Sequence, residues 1–115
     1  MSIQALSPEF AVTGQITPQD VTELAKAGFK SIICNRPDGE GGPVQPTFRE
    51  IELVALIAGM QARYLPVVAG QITPVQGMAM ANLLATLPGP VLAYCRTGAR
   101  STSLWELARH QSPSD

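Results

Sequence analysis

Residues 95 to 101 read Cys95-Arg96-Thr97-Gly98-Ala99-Arg100-Ser101, directly after the apolar run Pro90-Val91-Leu92-Ala93-Tyr94 and directly before the helix-like stretch Ser101 to His110. A cysteine and a glycine-bearing loop between a buried strand and a helix constrain the fold to an α/β layer, with the cysteine at the carboxyl edge of a sheet. Ligands bind at such edges. Gly98 allows the tight curvature that lets backbone N–H groups converge, and the helix N-terminus adds about half a positive charge. The same features lower a thiol pKa and favour the Cys95 thiolate. Arg100 fits as a planar, permanently charged fork for an oxyanion. The pattern is that of an anion cradle with a nucleophile at its base, and it points to covalent cysteine catalysis. A cysteine that merely packs as a small hydrophobe leaves Arg96, Gly98 and Arg100 without a reason to crowd behind it.

The rest of the chain bounds this reading. Its 115 residues suit one domain, 1–115, with a single core. A hydrophobic content of 45% with 15% charged residues excludes a disordered chain. The net charge of −1 supplies no basic footprint, so no nucleic-acid partner is expected. The longest apolar stretches, Ile51 to Met60 and Met78 to Leu87, are too short to span a bilayer, so no membrane partner is expected either. Met1 to Phe10 lacks a basic n-region, and with two cysteines in all the expectation is a reducing cytoplasm.

Strand and helix signals alternate along the chain, as in a layered α/β sheet. Strands are predicted over Phe10 to Ile16, Phe29 to Asn35, Ala62 to Val68 and Pro90 to Tyr94. Thr17-Pro18-Gln19-Asp20 reads as a helix start with Thr17 as N-cap, and the helix runs to Ala27 with Gly28 just beyond. Arg36 to Pro46 is a Pro/Gly-rich loop, and Thr47-Phe48-Arg49-Glu50 reads as a capping box opening a helix to about Gly59. Thr73-Pro74-Val75-Gln76 opens another helix, ending near Leu87. Gly-Gln-Ile-Thr-Pro occurs twice, at Gly14 to Pro18 and Gly70 to Pro74; similarity extends from neither copy, so two turns solving one capping problem explain it better than duplication.

This order of elements resembles the cysteine-dependent dual-specificity phosphatases. More closely, Ile33-Cys34-Asn35-Arg36-Pro37-Asp38-Gly39-Glu40 and Leu92-Ala93-Tyr94-Cys95-Arg96-Thr97-Gly98-Ala99-Arg100-Ser101 resemble the phosphatase-like domain of the bacterial beta-lactamase-hydrolase-like family, from about Val12 to Ala108. The resemblance implies a compact cysteine-phosphatase-like fold, a mostly parallel sheet flanked by helices, with Cys95 as nucleophile and Arg100 as anion clamp.

Three departures from the phosphatase pattern stand out. Four residues, Arg96 to Ala99, separate cysteine and arginine where phosphatases have five; Tyr94 precedes the nucleophile in place of histidine; and Val67-Val68-Ala69-Gly70-Gln71, where the leaving-group acid normally sits, contains no carboxylate. Loss of that acid costs roughly 10²–10⁴ in rate for an alkoxide leaving group. The four-residue spacing resembles the Cys-x-x-Gly-x-Arg loop of rhodaneses, which holds a cysteine persulfide. Sulfane-sulfur transfer needs a low-pKa thiol and no alkoxide acid. The main expectation is therefore sulfur transfer on a phosphatase-like scaffold, from a small anionic donor such as thiosulfate or a persulfide, with a redox or sulfur-relay protein as the corresponding partner. Phosphomonoester hydrolysis is the alternative, and a non-catalytic anion-binding module the third reading.

Around these residues, Arg96, Thr97, Gly98, Ala99 and Ser101 are candidates for anion contact, and Arg36 for added positive potential. Asp38 is a candidate replacement acid, against its plain reading as a turn residue in Pro-Asp-Gly. Cys34 is either a resolving thiol for Cys95 or, inside an apolar strand, a buried one. Leu104, Trp105 and Leu107 read as the buried face of the last helix, and His110 as a solvated residue. One histidine and two distant cysteines form no metal-ligand cluster, and the chemistry calls for no cofactor.

Overall fold

The structure, a computed structural model, describes residues 1–111; the last four residues of the expected 1–115 domain lie outside the described residues. The elements run β1 (Gln4–Ser7), β2 (Phe10–Thr13), α1 (Pro18–Lys26), β3 (Ser31–Cys34), a 3-10 turn (Gly42–Val44), α2 (Phe48–Ile57), β4 (Gln61–Tyr64), α3 (Pro74–Thr86), β5 (Val91–Tyr94) and α4 (Ala99–Arg109). The sheet order is β1-β2-β5-β3-β4, with β1 antiparallel to β2 and every other pair parallel.

Strand β5 is paired on both sides, to β2 and β3, and all four of its residues are buried. Parallel strands covered on both faces read as continuous apolar runs. Alternation then divides the run: Leu92 and Tyr94 join Ile32 and Cys34 against Val21 and Leu24 of α1 and Ile51 and Ala55 of α2. Val91 and Ala93 join Ile33 on the opposite face, against Met80 and Ala81 of α3 and Leu104 and Ala108 of α4. Each fully buried Val, Leu, Ile or Met side chain here contributes about 1.5–3 kcal/mol. Trp105 of α4 stacks on Phe10 of β2, ring centroids 5.8 Å apart, and ties the second layer to the sheet.

Three helices form where their Thr caps predict, whereas α4 starts at Ala99, two residues before the expected Ser101, on a Gly98 N-cap with no side-chain bond. Thr17 and Thr73 each accept from the backbone N–H three residues on, and the side chains of Asp20 and Gln76 return the bond to the cap's own N–H. The repeated pentapeptide is thus one capping solution used twice. Thr47 differs from expectation: its hydroxyl accepts from the Glu50 N–H, but no bond returns from the Glu50 side chain, so the box is half made. Asp38 supplies the missing support, its Oδ1 accepting from the Phe48 N–H at 2.8 Å.

The predicted strands are longer than those observed. Gly14 to Ile16 leave β2 to form a loop; Phe29 and Lys30 precede β3; Leu65 to Val68 lie beyond β4. Pro66 lacks the N–H needed to continue a ladder, yet Leu65 and Val67 still donate to the carbonyls of Cys34 and Asn35. The antiparallel edge strand β1 went unanticipated, since four residues ending against Pro8, none of them fully buried, carry little alternation. Because β2, β3, β4 and β5 run the same way, their carboxyl ends share one edge, where Gly14, Asn35, Leu65 and Cys95 all emerge.

Candidate active site

Cys95 is the first residue beyond β5 and is 1% exposed. Its loop turns immediately into α4, whose N-cap is Gly98 at φ 96° and ψ −11°, a left-handed conformation that a Cβ would strain. That turn aims amides at the sulfur: the Gly98 N–H donates to Cys95 Sγ at 3.0 Å. Burial pushes the Cys95 thiol up, but the backbone N–H groups of Ser101, Thr97, Arg100 and Gly98 outweigh it, and the net pKa lies below its ordinary value of 9.0. Converging amides at a helix N-terminus stabilise the thiolate as they would a bound oxyanion.

The loop is seated against the turn after β2. The Gln15 N–H donates to the Arg96 carbonyl, and a Cβ on Gly14 would stand 2.9 Å from that oxygen, so only glycine fits. The Thr102 hydroxyl donates back to the Gly98 carbonyl at 2.9 Å. Ser101 is fully buried, and its hydroxyl donates to Asn35 Oδ1 at 2.8 Å rather than to the sulfur. Asn35, also fully buried, spends its amide on the Leu65 carbonyl at 2.9 Å, so one side chain pins the exits of β3 and β4 to the start of α4.

Arg100 does not stand free as an empty fork. Its Nη1 donates to Glu40 Oε2 at 2.7 Å and to the Val67 carbonyl at 3.0 Å, while Nη2 donates to Glu40 Oε1 at 2.7 Å. Glu40 Oε1 also accepts from Arg36 Nε at 2.9 Å, and Arg36 Nη1 donates to Gln15 Oε1 at 3.1 Å. Hydrogen bonding to Arg100 holds the Glu40 carboxyl at about 2, well below the usual carboxylate range. Hydrogen bonding to Glu40 in turn raises the Arg100 pKa, and the negative charges of Glu40 and Cys95 add to it.

The expected residues therefore divide. Cys95, Thr97, Gly98, Ala99, Arg100 and Ser101 form one loop and helix start, and Arg36 joins through Glu40. Arg96 contributes its carbonyl to the loop's seat, while its side chain is exposed. Asp38 is exposed and committed to the first turn of α2, and it is Glu40, two residues on, that reaches the Cys95 loop. Asp38, the candidate acid, makes the contacts of a turn and cap residue. Cys34 is 2% exposed, donates to the Arg36 carbonyl at 3.3 Å, and burial pushes its thiol up to about 11. The buried Tyr94 hydroxyl on the neighbouring strand finds no hydrogen-bond partner among the described residues, and burial, then the adjacent Cys34, raises its pKa. Glu40, Asn35 and Gln15 were missed, since each acquires its role only when the strand exits come together.

Residues 2–112 match the family model described as the beta-lactamase hydrolase-like protein, phosphatase-like domain. The chain belongs to this family. Beta-lactamase hydrolase-like proteins of Xylella fastidiosa and Agrobacterium fabrum are similar to it, at 33% identity over 94% of the chain and 36% over 93%. The chain spans 25% of the length of each of these relatives. Among solved structures, a Neisseria meningitidis protein named provisionally as a phosphatase superposes with TM-score 0.87 at 37% identity, over 95% of this chain and 77% of that one. P. aeruginosa TpbA, solved in complex with pTyr, shares the fold at TM-score 0.67 and 17% identity, over 89% of this chain and 58% of that one. The phosphatase-like domain is thus a phosphatase-like α/β scaffold. The comparisons lend the expected sulfurtransferase activity no support and fit the hydrolase alternative better. Among the described residues no helix is long and apolar enough to cross a membrane.

Proposed function

We propose that this phosphatase-like domain is a Cys95-dependent hydrolase of small phosphomonoesters. The observation that carries the reading is the Cys95 sulfur lying under the N–H groups of its own loop, with its pKa lowered by them on a phosphatase-like scaffold. The thiolate attacks phosphorus, the P–O bond to the leaving group breaks, and the leaving group departs with the bonding pair. Loop amides and Arg100 face the charge on the equatorial oxygens, the electrostatic part of such catalysis. Water then attacks the S-phosphocysteine, the S–P bond returns its electron pair to Cys95, and both water hydrogens leave on dihydrogen phosphate. Arg96, exposed beside the loop, adds positive charge for the approaching anion.

One observation favours a second reading, sulfane-sulfur transfer to an acceptor thiol, free or on a partner protein: only Arg96 to Ala99 separate Cys95 from Arg100, a smaller ring than phosphatases carry. Intact mass of the protein quenched during turnover decides between them. A phosphoryl adduct on Cys95 with an aryl phosphate supports hydrolysis; a single added sulfur with thiosulfate, and no phosphoryl adduct, transfers the assignment to sulfur chemistry.

A further inference from the structure

Resting on the hydrolase reading, we propose that the site cleaves only phosphomonoesters whose leaving group departs as an unprotonated anion, and that Glu40 is a positioning residue for Arg100 and not a proton donor.

Both Glu40 oxygens are already acceptors: Oε1 from Arg36 Nε and Arg100 Nη2, Oε2 from Arg100 Nη1. A proton on Oε1 would turn an N–H donor against an O–H donor, and a proton on either oxygen would leave the two guanidinium groups without their counter-charge. The arrangement holds the carboxylate ionised and aims Arg100, whose remaining Nη1 bond goes to the Val67 carbonyl. Four other described proton carriers sit in contacts of their own. Asp38 accepts from the Phe48 N–H, and Asp20 closes the Thr17 capping box. The Tyr64 hydroxyl accepts from the Asp38 N–H, and Tyr94 is buried beside Cys34. His110 caps the far end of α4, an 11-residue helix about 16 Å long that starts at the Cys loop. Leaving groups able to carry the charge alone, phenoxides of acidic phenols and carboxylates of acyl phosphates, match a site built this way.

The test is kcat/KM of the whole protein on 4-nitrophenyl, phenyl and benzyl phosphate, in the wild type and in Glu40→Gln. Because a general acid supplies about 10²–10⁴ in rate, its absence predicts a fall of at least about 10²-fold from 4-nitrophenyl to phenyl phosphate. Glu40→Gln should lower 4-nitrophenyl and phenyl phosphate by a similar factor and leave that ratio unchanged, as a positioning residue does, and neither protein should turn over benzyl phosphate. A smaller fall in the wild type, or a selective loss of phenyl phosphate in Glu40→Gln, overturns the inference while leaving the hydrolase reading in place. No turnover of 4-nitrophenyl phosphate overturns both.

Discussion

Cys34 and Cys95 stand at the carboxyl ends of adjacent parallel strands, and both are buried, at 2% and 1% exposure. Their chemistry is opposite: burial pushes the Cys34 thiol up to about 11, whereas the amides around Cys95 bring its thiol below 9.0. Burial raises both, so it does not separate them. The separation comes from one residue of position along the strand. Cys34 is still in the ladder, its side chain in the α1/α2 core, where it meets one carbonyl and a phenol. Cys95 has left the ladder, and the chain that follows bends its N–H groups back over the sulfur. A nucleophilic cysteine is therefore made by the backbone after it, not by its depth in the protein.

The largest break in this comparison is removal of the Cys95 sulfur. Cys95→Ser should abolish turnover, by about 10⁴-fold or more, because a hydroxyl does not ionise in this cradle. Circular dichroism and the melting temperature should stay near wild type, the two side chains being close in size. Cys34→Ser should leave activity close to wild type, since the hydroxyl can donate to the Arg36 carbonyl as the thiol does. Comparable activity of Cys95→Ser and wild type would remove the catalytic assignment.

Next in size is Arg100→Lys, which gives up the paired bonds to Glu40 and the geometry of the fork. It should cost about 2–4 kcal/mol in kcat/KM on aryl phosphates. A lysine variant as active as wild type would mean that the amides alone hold the oxyanion. Gly98→Ala follows. Its left-handed φ of 96° makes any Cβ cost about 1–3 kcal/mol of stability, and displaced amides should lower kcat/KM by about 10- to 100-fold. The same variant should raise the pH midpoint of Cys95 alkylation; an unmoved midpoint would show that Gly98 serves the turn and not the thiolate.

The two cysteines also show what a sequence discloses. The Cys95 loop was legible because every part of its cradle is local: strand, glycine and helix start fall within a dozen residues, and backbone amides need no partner from elsewhere. The parallel sheet and helix caps were legible for the same reason, through apolar runs and Thr-Pro starts. Strand ends were not, since Gly14 to Ile16 and Leu65 to Val68 are apolar enough to continue yet are drawn out to build the site edge. Nor was Glu40. In Pro-Asp-Gly-Glu, Asp38 looks like the better acid, and only the fold shows that Asp38 turns to the α2 N-terminus while Glu40 spans 60 positions to Arg100. The protonation of Cys34 was partly legible, from its apolar strand alone.

The smallest expected effect is on stability, and it tests the sign of the contrast directly. Between pH 9.0 and about 11 an unfolded Cys34 has lost its proton while the folded one keeps it, so the folded state binds more protons and raising the pH destabilises it. A shift from 9.0 to about 11 allows about 2–3 kcal/mol in total, and roughly a third of that between pH 9 and 10. For Cys95 the signs reverse: from its lowered folded pKa up to 9.0 the unfolded state holds the extra proton, so its contribution to stability grows as pH rises and is lost as pH falls through the folded pKa. Urea unfolding of wild type, Cys34→Ser and Cys95→Ser across this range cancels the titration common to all three. The wild-type advantage over Cys34→Ser should shrink above pH 9, and that over Cys95→Ser should grow below it. Slopes of the same sign would mean that the two thiols share one environment and that the loop amides do not set the Cys95 pKa.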